Sequence, residues 1–493
     1  MKEIVQSYFK QRSLVNHQLM SYNDCIPAGD GRLSRMEKIV RSIRIGTDEP
    51  VEDLPGGEGE GGCIKLDVLD KEILVRLKNI RLGQPTIREA NGAEHPATPL
   101  ECRIRKLTYF SPVYLDFRIY RDDIPPDTPD GDLGYINEEG VHIGNLPIMI
   151  RSARCNVHAD HIDENRKLSP QTSAEDAEYL TQLLRKAGED PLDPGGYFII
   201  NGTERVLVCL EDLAPNRVMV EREARYQRQT EFAKVFSQRE GFRALTMVEK
   251  KKDGILHVSI PVASGGVPLV VLMMALGMES ADEIMSAINA DDTTQNQVLA
   301  NIEEIHQNES VFTTEEALQY LERRFAAGQS KEYRRKRINY ILDNTLLPHL
   351  STSLEVRYKK ALFLGRMARE VLELHIGTRQ PDDKDHYANK RLKLAGNLME
   401  ELFRAGLQAL LNDMKYQMER SYTKRKEKRV KNAIRRDVLT NKIMHAMATG
   451  NWIGGRAGVS QLLDRTCNMA TLSHLRRVIS PLTRSQPHFQ ARD

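Results

Sequence analysis

Gly195-Gly-Tyr-Phe-Ile-Ile-Asn-Gly-Thr-Glu-Arg-Val-Leu-Val-Cys209 sets an Asn201-Gly202 pair between two apolar runs. Both residues of the pair tolerate positive φ, which a two-residue turn needs if its twist is to match that of paired strands, so the stretch predicts a tight β-hairpin. Upstream, Ser173 stands three residues before Asp176 in a capping-box arrangement. Ala177, Leu180 and Leu184 follow at helical spacing until Gly188, which predicts a helix over 174–187. Downstream, residues 204–350 mix strand patterns (243–248, 255–260) with capped helices. One of these begins at Thr313 with Glu316, carries Ala317, Leu318, Leu321 and Phe325 as its stripe, and ends at Gly328.

Farther out, residues 2–20 read as a docked helix, and from about 36 to 120 the pattern turns to strands, as in 64–69 and 73–77, with an acidic, Gly-rich loop at 53–62. A turn-rich insertion fills 122–134. Beyond 355 helices dominate, with 358–374 and 390–418 as candidates. The fold class that follows is α+β and multidomain, with mixed helices and antiparallel sheet giving way to a mostly helical end.

Composition narrows the function. The 493 residues are 40% hydrophobic and 28% charged, in the range of ordinary globular proteins. The net charge of +2 hides an asymmetry: residues 421–493 carry +11 and residues 1–420 carry −9. Nine Lys/Arg crowd into 421–443, among them Lys424, Arg425, Lys428, Arg429, Lys431, Arg435 and Arg436. A polyanionic partner is expected there, although a charge run is also a common solvated face. The only aromatic of that run is Tyr422, so backbone contact is expected rather than base stacking. Six scattered cysteines without a C-x-x-C pair argue against a disulfide framework and suit a reducing cytoplasm. The longest apolar run, 267–278, is too short to span a bilayer, and no signal core opens the chain.

The C-terminal run from Gly450 to Arg477 holds the chain's one tryptophan, Trp452, four glycines, and Arg456, Arg465, Arg476 and Arg477. Glycine lets a backbone approach a bulky partner, and guanidinium forks suit phosphates. No Walker-type glycine loop or metal-binding NADFDGD-like run is present. Asp382, Asp383 and Asp385 beside His386 form the best carboxylate cluster, and turn capping with ion pairs to Lys390 and Arg391 is their expected role. Cys155, His158 and His161 have zinc-like spacing but lack a fourth ligand.

Three ordered stretches, 195–217, Pro381-Asp-Asp-Lys-Asp-His-Tyr-Ala-Asn-Lys-Arg-Leu392, and Gly455-Arg-Ala-Gly-Val-Ser-Gln461 with Asp464-Arg465 and Thr471-Leu-Ser-His-Leu-Arg-Arg477, resemble the second-largest subunit of multisubunit DNA-dependent RNA polymerases in its archaeal and eukaryotic spelling. The resemblance covers nearly the whole chain. It implies a protrusion (1–203), an inserted lobe (204–350), a helical return to the protrusion (351–410) and a fork region (411–493). Arg456, Gln461, Asp464, Arg465, His474, Arg476 and Arg477 then take positions along the channel that holds double-stranded DNA and the RNA:DNA hybrid, with an internal salt bridge as the competing role for Asp464.

The resemblance further implies no catalytic residue or cofactor in this chain, Mg²⁺ held by the largest subunit (A'/A''), and association with the B' half and other polymerase subunits. Full-length subunits of this class are more than twice as long, so the chain resembles the split N-terminal half found in some archaea, with an experimental fragment as the other explanation. The alternative function is a free-standing basic nucleic-acid-binding protein with an acidic protein-interaction module.

Overall fold

In the computed structural model the Asn201-Gly202 hairpin forms as its sequence dictates. Strands Phe198–Ile200 and Thr203–Leu207 pair antiparallel with Ile200 opposite Thr203, and φ is +50° at Asn201 and +76° at Gly202. Glycine is required at 202 twice over, because a Cβ there would lie 2.6 Å from Lys106 Cα. The described residues are 13–27, 31–46, 61–68, 71–120, 135–163, 174–225, 228–239, 242–261, 266–289, 292–328, 330–351, 353–423 and 429–480. Residues 53–60 of the loop expected at 53–62, the insertion at 122–134 and the capping residue Ser173 lie outside them.

The chain divides into two compact units, Met1–Asp212 with Leu392–Asp493, and Leu213–Arg391. The first unit carries a five-stranded sheet in chain order: Arg44–Ile45, Cys63–Val68, Lys71–Leu82, Phe110–Tyr120 and Tyr135–Pro147. Every pairing is antiparallel except the first. Alternating residues Ile73, Val75 and Leu77, and Val113, Leu115 and Phe117, are buried in one core with Leu398, Leu402, Phe403 and Leu407 of the helix Ala395–Thr423.

That long helix starts later than its apolar spacing predicts. Lys390–Lys393 is extended, and the first helical amides find acceptors on the helix Asn16–Cys25: Gln18 Oε1 takes the Ala395 N–H at 3.0 Å, and Ser21 Oγ takes that of Gly396 at 3.1 Å. The two helices approach so closely that a Cβ on Gly396 would sit 1.9 Å from Ser21 O. Of the helix expected at 2–20, residues 1–12 lie outside the described set and the described helix runs Asn16–Cys25.

Strand patterning from 36 onward is corrected at two places. Arg35–Ser42 is a helix, because Ser34 and Glu37 close a full capping box and Met36, Ile39 and Val40 bury one stripe. Pro99–Ile104 is a second, with Thr98 accepting the Glu101 N–H. The helix expected over 174–187 is found as Ala174–Lys186.

The second unit holds a five-stranded antiparallel sheet, Val218–Arg225, Arg228–Arg239, Phe242–Lys250, Leu256–Ser259 and Val267–Pro268, again in chain order. The apolar run 267–278 supplies the last strand and a helix, Leu269–Ala275, in which every residue is buried. Thr314–Phe325 begins at a complete Thr313/Glu316 capping box. The helix Arg357–Ile376 contributes Ala361, Leu364, Met367, Ala368 and Val371 to this unit's core. Its Lys360 is fully buried and donates to the carbonyls of Leu342 (2.9 Å) and Asp343 (2.6 Å) in the π-turn Ile341–Thr345; burial brings its pKa down to about 8.

Candidate nucleic-acid interface

The helix Arg436–Thr449 ends at Gly450, whose φ of +80° turns the chain into a short arm. Trp452 N–H donates to Arg456 O at 2.7 Å, closing a loop whose tip, Ile453-Gly454-Gly455, is exposed. Nothing lies within 4 Å of a Cβ built on Gly454 or Gly455, so positive φ (+81° and +73°) is the reason for glycine there. Trp452 itself is buried, with its indole N–H on Leu398 O at 3.2 Å. The chain's one tryptophan therefore anchors the loop and leaves the glycine tip outward. Ser460–Leu462 then adds to the hairpin, antiparallel to Thr203–Leu207, and Val478–Ile479 runs parallel to Cys209–Leu213.

The arm's charged residues separate into distinct environments. Arg456 Nη2 lies 2.9 Å from Asp212 and its Nη1 3.3 Å from Glu401, two carboxylates that Lys393 also reaches at 3.1 and 2.6 Å. Arg465 Nε lies 2.6 Å from Glu204 and Nη2 3.0 Å from Asp193, with its guanidinium 4.8 Å from the Tyr197 ring centre. Beneath it Arg103 bonds Glu204 and Glu189, both at 2.8 Å, and the Tyr197 hydroxyl at 2.8 Å. Burial opposes the Arg465 charge, but the Glu204 hydrogen bond and the Asp193 charge outweigh it and raise its pKa. Arg476 donates to Leu14 O at 2.7 Å.

Gln461, Asp464, His474 and Arg477 are brought together. The Asp464 backbone N–H donates to His474 Nδ1 at 3.1 Å, so the ring carries its proton on Nε2 and donates to Gln461 Oε1 at 3.0 Å. Burial, then the Arg477 charge, lowers the His474 pKa. The Asp464 carboxylate accepts from the backbone and the hydroxyl of Thr466, at 2.9 and 2.5 Å, rather than from an arginine, and its pKa is lowered. Arg477 is exposed; its charge acts on Asp464 and His474, and it forms no salt bridge among the described residues.

Lys424, Arg425 and Lys428 lie outside the described residues. The rest of the basic stretch is not one helix: Ala395–Thr423, Val430–Ala433 and Arg436–Thr449 are separated, with Ile434 and Arg435 extended. Glu138 explains the short middle turn, since its carboxylate accepts the N–H groups of both Val430 and Lys431 at 2.9 Å. Arg435 is paired with Asp413 through Nε at 2.7 Å. Arg429, Lys431 and Arg436 are exposed, and Lys431 and Arg436 have no side-chain partner among the described residues.

The carboxylates at 382–385 serve the turn. Asp382 accepts the Val220 N–H (2.9 Å) and pairs with Arg379, Asp383 caps the Asp385 N–H (2.8 Å), and Asp385 pairs with Lys390 (3.3 Å). Cys155 is buried beside the Tyr109 hydroxyl, and His161 Nε2 bonds Ala153 O at 2.8 Å. Among the described residues the potential ligand atoms that do converge belong to Glu89, His95 and Glu101, and Arg105 bonds both glutamates. Sequence reasoning missed Arg103, Glu189 and Glu204, and also Lys393, Asp212 and Glu401; as isolated charges they show no periodicity.

Comparison with known proteins adds a decisive observation. A family described as RNA polymerase beta subunit matches residues 13–441. The chain belongs to the RNA polymerase beta subunit family. It is similar over its whole length to DNA-directed RNA polymerase subunit Rpo2N of Methanocaldococcus jannaschii, at 43% identity and covering 89% of that protein. Similarity to Rpo2N of Halobacterium salinarum is 42%, over all of this chain and 86% of the relative. Against subunit Rpo2 of Saccharolobus solfataricus the identity is 40% over 99% of this chain, which spans 38% of that longer polypeptide. This beta-family chain is thus a DNA-directed RNA polymerase subunit with archaeal relatives. Among its described residues no helix is long and apolar enough to cross a membrane.

Proposed function

We propose that this subunit forms one side of the DNA cleft of an archaeal-type RNA polymerase and meets template DNA and the RNA:DNA hybrid through the arm at 450–480 and the basic surface preceding it. In this reading residues 1–203 and 351–410 form the protrusion, 204–350 the lobe and 411–493 the fork. Its partners are the largest subunit (A'/A''), the B' half of the second-largest subunit and the remaining polymerase subunits. Nucleotidyl transfer belongs to the complex, where Mg²⁺ on the largest subunit neutralises phosphate charge. The reading carries cytoplasmic residence with it.

The observation that carries the proposal is a contrast: the arm's glycine tip faces outward above a buried Trp452, while Arg477 of the arm, and Lys431 and Arg436 before it, are exposed and form no salt bridge among the described residues. Such arginines and lysines neutralise phosphates without reading sequence. Arg456 and Arg465 then act as positioning residues that hold the arm on its hairpin.

The test is purification of the chain at its native level. Stoichiometric recovery with the larger polymerase subunits supports the proposal. A chain that runs free and binds DNA or RNA alone would support instead a free-standing basic nucleic-acid-binding protein.

A further inference from the structure

The unit Leu213–Arg391 contains a cavity of about 220 Å³ whose lining includes Asn216, Arg217, Phe363, Arg366, Glu370 and Arg379. Glu370, 4% exposed, fixes two of the three arginines: Arg366 Nε donates to its Oε1 at 3.0 Å, and Arg379 Nη1 lies 3.1 Å from its Oε2. Asp382, which also lines the cavity, holds Arg379 Nη2 at 3.1 Å. Asp382 is itself locked to Val220 by hydrogen bonds in both directions, at 2.9 and 2.8 Å. Asn216 sits at φ +60° and exchanges hydrogen bonds with the Gln238 main chain at 3.1 and 2.7 Å, so the neighbouring Arg217 springs from a fixed turn.

Three guanidinium groups against two carboxylates leave the lining at +1. The carboxylates occupy Nε of Arg366 and the two Nη atoms of Arg379, while both Nη groups of Arg366 have no hydrogen bond among the described residues. Arg217 is exposed and gives its Nη1 to Ala388 O at 3.4 Å; guanidinium forks with spare donors beside a buried counter-charge suit a tetrahedral oxyanion. The volume corresponds to roughly seven waters, room for a phosphate and a few further atoms but not for a polynucleotide strand.

We propose that this cavity is a phosphate-binding site, accepting inorganic phosphate or the phosphate of a small phosphomonoester on Arg217, Arg366 and Arg379, with Phe363 as its apolar wall. The site uses none of the residues of the nucleic-acid interface, so either reading stands without the other.

The experiment is calorimetric titration of the full-length chain, at ionic strength held constant with chloride, using inorganic phosphate in one arm and adenosine monophosphate in the other, with adenosine as control. Saturable binding of phosphate, of the monophosphate, or of both is expected, the responding arms identifying the source. Affinity should fall at least tenfold in the R217Q/R366Q double variant while its unfolding midpoint stays that of wild type; Arg379 is left intact because it also holds Asp382. Phosphate binding no tighter than chloride, equal affinity in the double variant, or binding of adenosine alone overturns the proposal.

Discussion

Between residues 429 and 480 two sets of cations are held in opposite ways. Arg456, Arg465 and Arg435 each face carboxylates of the same chain, and Glu204, the partner of Arg465, is held in turn by Arg103, which also pairs with Glu189. Lys431, Arg436 and Arg477 are exposed and form no salt bridge among the described residues. The lesson is that a cluster of positive charge in sequence overstates the charge available to a ligand. Some of these arginines fasten the arm, and only the remainder can meet phosphate.

The sharpest way to break this comparison is to remove the support under the fastened set. Arg103→Ala leaves the nearly buried Glu189 without its guanidinium and should cost about 3 kcal/mol in denaturant unfolding of the full chain, since an orphaned buried charge is expensive. A loss under about 0.5 kcal/mol would mean the network is ornamental.

Arg465→Ala should cost less, about 1 kcal/mol, because its side chain is 38% exposed and solvent already screens its pairs. Any nucleic-acid affinity it loses should not change the salt dependence of binding. A drop in the log–log salt slope near 0.9 would instead make Arg465 a phosphate contact.

His474 sharpens the comparison by pH. Its folded pKa lies below the ordinary 6.5, so the unfolded chain binds a proton first, and stability contributed at this site is full above pH 6.5 and lost as pH falls below it. Unfolding midpoints measured from pH 7.5 to 5 should decline less steeply in His474→Gln; identical profiles would remove the buried neutral imidazole from the account.

The smallest stability effect belongs to the free set. Arg477→Ala and Arg436→Ala should each leave unfolding within about 0.5 kcal/mol of wild type while lowering the salt slope of nucleic-acid binding by roughly 0.9 per residue.

What could be read in the sequence was what is decided locally. Asn201-Gly202 fixes its turn through φ, and Thr313 with Glu316 closes its cap within four residues, so both were legible. Ser34 and Glu37 carry the same signal, but the adjoining Ile39-Val40 and the strand patterns that follow masked the helix Arg35–Ser42. The delayed start of Ala395–Thr423 was out of reach, because the side chains that cap it come from Gln18 and Ser21, more than 370 positions away. The same distance hides the ion pairs: Arg465 meets Glu204 across 261 positions and Arg456 meets Asp212 across 244. Resemblance picked out the arm's residues, and only coordinates divide the fastening arginines from the available ones.

The most direct measurement is site-specific photo-crosslinking in the assembled polymerase on a DNA template, with the probe placed in turn at positions 454, 477 and 465. Crosslinks to nucleic acid are expected from 454 and 477, and to protein from 465. Crosslinks to nucleic acid from 465 alone, or from none of the three, would contradict this expectation.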